Sequence, residues 1–152
     1  MDIHTELTLL PRLVIATVMG GVLGYERERS GNSAGVRTYA AVSLGACVLT
    51  AINLHLQLAD PTRMVASIIS GIGFLGAGVI FRDTNQGYVK GLTTAATLWA
   101  TAAVGISIGF GMYVISTAST LILFLLLYSH NFSFLQKIRE KEKVIKKNEN
   151  EI

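Results

Sequence analysis

The chain has 152 residues, of which 51% are hydrophobic and only 15% charged, with 13 basic against 10 acidic residues and a mean hydropathy of +0.49. That is too little charge to cover the surface of a soluble domain of this length. The single cysteine, Cys47, excludes an internal disulfide and a cysteine metal cluster, and its apolar setting reads as packing.

The apolar segments are taken in chain order against a hydrocarbon core that needs roughly 20 helical residues. Asp2 and Glu6 precede any base, and Pro11-Arg12 interrupts the first run, so the amino-terminal segment reads as a retained span and not a cleaved leader. Residues 13–25 form this span, lengthened by 7–10 with Pro11 near the helix start. Residues 36–58 make the second span and 64–81 the third. The apolar region 92–127 is too long for one crossing, since it reaches roughly 54 Å at 1.5 Å per residue against a core of roughly 30 Å. It therefore splits into two spans, turning at "GISIGFG", residues 105–111. The expected fold is all-α: a polytopic transmembrane bundle of about five spans, the fourth short.

The bases divide to match. Arg27, Arg29 and Arg37, then Arg82 and Lys90, then Lys137, Arg139, Lys141, Lys143, Lys146 and Lys147 fall on one side, and only Arg12 and Arg63 on the other. By the positive-inside rule the amino terminus lies outside and the carboxyl terminus inside. Residues 1–130 are expected to form the membrane domain and 131–152 a charged cytoplasmic tail. The tail reads either as a solvated helical end that fixes topology or as a surface helix, with Leu135, Ile138 and Ile145 on one face, drawn to anionic lipid.

"SGIGFLGAGVIF" (70–81) spells G-x-G-x-x-G through Gly71, Gly73 and Gly76. A dinucleotide turn needs a strand before it and an acid about 20 residues on. Position 96 is Ala, and "TTAATLWA" holds no acid. On a helix, Gly71 and Gly78 share one face with Ser67, while Gly73 and Gly76 share the opposite one with Ala66 and Ala77. Two smooth faces predict a central helix packed closely on both sides, with a broken helix opening a polar cavity as the alternative. Gly20 and Gly24 form a G-x-x-x-G on the first helix. Thr94, Thr97 and Thr101 share a face of the fourth, where threonine usually bonds to its own backbone. Trp99 is expected to fill the gap left by its small neighbours.

"GVLGYERERSGNSAGVRT", "ADPTR", "SGIGFLGAGVIF" and "GLTTAATLWATAAVGISIGFG", in that order, resemble the membrane domain of the MgtC/SapB family over residues 9–128. The matching positions include Gly24, Glu26, Arg27, Gly35, Arg37, Thr38, Asp60, Pro61, Arg63, the four glycines of 71–78, Phe74, Gly91, Thr93, Thr94 and Trp99. The resemblance implies a bacterial inner-membrane protein tied to growth under magnesium limitation. In some members it also implies survival inside host cells and restraint of ATP synthase. Many members carry a soluble carboxyl-terminal domain, where this chain has its charged tail.

Magnesium wants oxygen ligands, usually carboxylates, and no Asp or Glu falls within a predicted span. Candidate ligands stand at the ends: Glu26, Glu28 and Asp83 inside, Asp60 outside. His4, His55 and His130 are far apart, and His55 with Asn53 and Gln57 reads as an interfacial helix end. No metal site, catalytic set, cofactor or nucleic-acid partner is expected.

The polar stretch "YERERSGNSAGVRT" carries two readings: a topology signal with local ion pairs, or a cytoplasmic recognition site for a protein or an anion, formed by Glu26, Arg27, Glu28, Arg37 and Thr38 in a solvated loop. Two function classes follow. One is a non-enzymatic regulator that contacts another membrane complex, with the ATP synthase membrane sector first by family resemblance. The other is a small Mg²⁺ transporter or channel, working alone or as a homo-oligomer.

Overall fold

A computed structural model describes residues 3–56, 60–82 and 89–129. The basic tail, Asp83, Gln57 and His130 lie outside the described residues. α1 (Ile3–Arg29), α2 (Val36–His55), α3 (Pro61–Val79), α4 (Leu92–Gly109) and α5 (Tyr113–Tyr128) follow in order, with β1 (Phe81–Arg82) and β2 (Val89–Lys90) between α3 and α4. The chain is thus an all-α bundle. Four helices are long and apolar enough to cross a membrane, and α5 is a shorter apolar one. Large side chains turned outward, among them Phe74 at 81% and Val114 at 84% exposure, match a bilayer as solvent.

Several boundaries differ from the sequence expectation: α2 ends at His55 and α3 runs Pro61–Val79, where 36–58 and 64–81 were expected. α1 starts at Ile3 and runs through Pro11, which the sequence placed near the helix start. The fourth helix, 18 residues, is not the short one; the fifth, at 16, is shorter. An antiparallel ladder pairing Phe81 with Lys90 and Arg82 with Val89 closes a small hairpin that the apolar-run reading passed over. The break between the last two helices lies at Phe110–Met112, at the end of the expected 105–111 stretch, whose first five residues stay in α4; Gly111 takes φ +78°.

α4, not α3, is the central helix. It packs against each of the other four, and 61% of its span is buried against 11% for α3. α2 runs parallel to α4, and their backbones nearly touch. A Cβ at Gly105 would strike the Ser43 carbonyl, and one at Gly109 would lie 2.6 Å from Thr50 Cβ. α1 crosses α2 antiparallel just as closely, with a Cβ at Gly20 falling 2.5 Å from the Tyr39 carbonyl oxygen and one at Gly24 2.7 Å from that of Gly35. Of the α3 glycines only Gly76 is buried, its Cβ position 3.6 Å from the Ala95 Cβ. Gly71, Gly73 and Gly78 meet nothing within 4 Å. Small residues permit close approach without compelling it, and the approach is made by α1, α2 and α4.

Trp99 does not fill an internal gap; it is 48% exposed. The inward face of α4 is already closed by Thr94, Thr97, Thr101, Gly105 and Gly109. Cys47 is buried and free.

The alternating helices give each end of the bundle a distinct set of residues, and the orientation proposed from the charges has a direct test. Cysteines placed at positions 38 and 60, both exposed, in a Cys47→Ala background are expected to label from opposite sides, position 60 from outside. Labelling of both from one side would remove the odd-span topology.

Candidate functional site at the charged end of the bundle

The end of the bundle that carries the α1–α2 connection gathers the buried charges of the described residues. α1 continues past its apolar run to Arg29, and that last turn carries Glu26 and Arg27 inward, at 4% and 7% exposure. The sequence expectation of a solvated loop fails for these two. The connection folds back tightly over them: α1 closes with Ser30 N–H donating to the Glu26 carbonyl and Asn32 N–H to that of Arg27. Glu28, Arg37 and Thr38 stay exposed. The five expected recognition residues therefore split between an inward pair and an outward trio.

Arg27 Nη2 donates to Asn32 Oδ1 at 2.6 Å and to Thr94 Oγ1 at 3.3 Å. Its Nε is buried without a partner. Glu26 Oε1 accepts from Ser30 Oγ at 2.7 Å, and Oε2 is buried and unpartnered. Burying ionised groups without full hydrogen bonding is costly, so this pair is the most strained electrostatic feature of the described residues. Glu28 plays a local part, because its Oε2 accepts from Val36 N–H at 3.0 Å. It supplies the first turn of α2 with the acceptor that its N-cap, Gly35, lacks.

Beneath the pair, Tyr39 OH and Thr97 Oγ1 are 2.5 Å apart, joining α2 to α4. Thr97 also bonds the Thr93 carbonyl and Thr101 that of Thr97, at 2.8 and 2.7 Å. This is the backbone-directed role expected for these hydroxyls. Thr94 lies at the Arg27 contact, while Thr93 is exposed beside it.

At the opposite end, Arg12 Nη1 donates to the Gly109 carbonyl at 2.7 Å, a cation on a helix carboxyl terminus, where the macrodipole favours it. Asp60 caps α3, accepting from the N–H groups of Thr62 at 3.0 Å and Arg63 at 3.4 Å and from the Thr62 hydroxyl. The Thr62 hydroxyl, then the backbone donors, hold its carboxyl below the ordinary aspartate value. The cap therefore stabilises above that ordinary value and is lost as pH falls through the lowered one. Pro61 at the first position completes the start signal. In "ADPTR" the Asp, Pro and Thr thus build a helix start, and Arg63 adds its exposed side chain.

Among the described residues no three His, Cys, Asp or Glu side chains group as a metal site. Asn32 and Tyr39 escaped the sequence reading as partners. Their signal is the helical phase of Arg27, which becomes readable only once α1 is carried to Arg29.

The sequence model of the MgtC family matches residues 13–134. Protein MgtC of Salmonella typhimurium LT2 is 42% identical over 111 residues, 73% of this chain and 47% of that protein. Protein SapB of Bacillus subtilis is 38% identical over 122 residues, 74% of this chain and 52% of that protein. The putative magnesium transporter YhiD of Escherichia coli is 36% identical over 135 residues, 81% of this chain and 61% of that protein. The chain thus matches about half the length of these relatives. No solved structure matches it.

Proposed function

This chain belongs to the MgtC family, and from that premise we propose that it serves magnesium homeostasis as a non-enzymatic regulator, acting by contact with another membrane complex. It is a multi-pass integral protein of the bacterial inner membrane. The observation that carries the regulatory reading is the closeness of α1, α2 and α4 at Gly20, Gly24, Gly105 and Gly109. Ion pathways are built from ionisable groups or unwound backbone facing a cavity. Here the bundle centre is occupied by helix backbones in contact, and the hydroxyls of Thr50, Thr101 and Thr120 are turned to carbonyls of their own helices. The buried charges among the described residues, Glu26 and Arg27, stand together at one end of the bundle. The outward trio of Glu28, Arg37 and Thr38, together with the unfilled small face of α3, offers surface to a partner. The membrane sector of ATP synthase is the first candidate by family resemblance.

The test is flux. Purified full-length protein in liposomes holding a Mg²⁺-sensitive dye is expected to admit no more Mg²⁺ than empty liposomes. A photo-crosslinker at position 38 in growing cells is expected to capture a subunit of the synthase membrane sector. Protein-dependent, saturable Mg²⁺ entry would replace this reading with the second one, a small magnesium transporter, which the name of the Escherichia coli relative favours.

A further inference from the structure

We propose that the cavity at the charged end of the bundle is a binding site for a phosphate group, held between Arg27 and the first turn of α4. The cavity measures about 520 Å³, inside the roughly 300–1,000 Å³ usual for small-ligand sites. Arg27 is the one charged residue among those lining it and is 93% buried, since 7% of it is exposed. Its Nη2 donates to Asn32 and Thr94, and the guanidinium also lies against the Tyr39 hydroxyl. No described residue accepts from its buried Nε, and among the described residues no carboxylate hydrogen-bonds the guanidinium. Glu26 is next in sequence, but its Oε1 is taken by Ser30 and it does not line the cavity. A buried guanidinium with an unpartnered donor calls for an anion.

A second source of positive potential opens on the same space. Gly91, Leu92, Thr93 and Thr94 line the cavity, so the amino terminus of an 18-residue helix borders it. Gly91, at φ +91°, caps that helix with no side chain. A Cβ there would collide with the Val79 carbonyl. Packing on α3 therefore keeps the cap free of a side-chain acceptor, and the first-turn N–H groups are left for an external one. Donors reach the cavity from α1 and from α4, and the Ser129 hydroxyl beside it donates to the Leu126 carbonyl. A ligand that meets a guanidinium on one side and a row of helix N–H groups on the other needs several oxygens set around one centre. A phosphate has these, and the arginine fork suits it.

The phosphate could arrive on a soluble molecule or on a lipid headgroup, since exposed apolar Leu92 and Leu126 flank the opening. The site goes beyond the regulatory reading and does not rest on it. Thermal unfolding of the full-length protein in a phosphate-free maltoside detergent tests it in two arms. One adds inorganic phosphate against chloride at equal ionic strength, and the other phosphatidic acid against diacylglycerol. At least one probe is expected to raise the Tm by about 5 °C over its control. A shift with inorganic phosphate identifies a soluble source, and a shift with phosphatidic acid alone identifies the headgroup. Thr93→Asp places a carboxylate on the free first turn, where it suits the helix. It should abolish the shift without removing the buried arginine. Arg37→Gln, on the exposed turn of α2, should retain it. The proposal is overturned if neither probe moves the wild type, if Thr93→Asp responds fully, or if Arg37→Gln abolishes the response.

Discussion

Replacing Gly105 with leucine is expected to prevent the protein from accumulating in the membrane. A Cβ alone would meet the Ser43 carbonyl, with Ala46 Cβ 3.0 Å away. The obstacle is backbone, which cannot rotate aside as a side-chain tip can. Overpacking a core usually costs ~1–3 kcal/mol; here α2 must leave α4 to make room, so the loss should reach or exceed the top of that range. Gly105→Ala should already lower the detergent melting temperature, and Gly105→Leu should leave no cooperative transition. Leucine at position 71 or 73 is the matched comparison, because nothing lies within 4 Å of either. Both variants should accumulate as the wild type does. A Gly105→Leu protein that melts like its parent would refute the packing of α2 on α4. Loss of folded monomer in the 71 or 73 variants would show that α3 is covered in the membrane.

Arg27→Glu is expected to be the most damaging charge reversal in the chain, and Arg37→Glu among the mildest. The first places a second carboxylate beside Glu26 at a buried position and strips Asn32 and Thr94 of their donor. Breaking buried charge contacts in this way costs ~3–5 kcal/mol, a large share of the stability of a small protein. Arg37 stands on the exposed first turn of α2, where an acid agrees with the helix dipole and surface changes stay within about 0.5 kcal/mol. Accumulation and detergent melting read the difference, with sidedness checked in both strains because each variant also removes a topology signal. If the protein works by contact, Arg37→Glu is the informative reversal: it should weaken the physiological effect while folded protein persists. Equal stability of the two variants would show that Arg27 is solvated after all.

Several features were legible from residues alone because each rests on local physics. The split of 92–127 follows from helix rise against bilayer thickness, and the turn fell at Gly111, where the backbone takes φ +78°. The backbone bonds of Thr97 and Thr101 follow from threonine's reach within its own helix. Which helix is central was not legible. Gly71 through Gly78 present smooth faces as good as those of Gly105 and Gly109, and spacing does not reveal which faces find partners. The burial of Arg27 was hidden for a related reason. An alternating Glu-Arg run looks like loop until α1 is carried one more turn, and the depth comes from α2 folding back through the Gly24–Gly35 contact. The β1–β2 pairing did leave a mark in the sequence, since Phe81-Arg82 and Val89-Lys90 are separated by "DTNQGY", whose Asp, Asn and Gly are residue types that favour turns.

The two arginine bonds to α4 also act mechanically. Arg12 and Arg27 are fifteen residues apart on α1, and their acceptors Gly109 and Thr94 are fifteen apart on α4, about 22 Å of helix in each case. The two helices are fastened at matched lengths like a splint, so neither can slide past the other without opening one fastening. A one-residue insertion in either would put the two bonds out of step. Any stroke the molecule makes is then left to the outlying α3, swinging against a frame of fixed gauge.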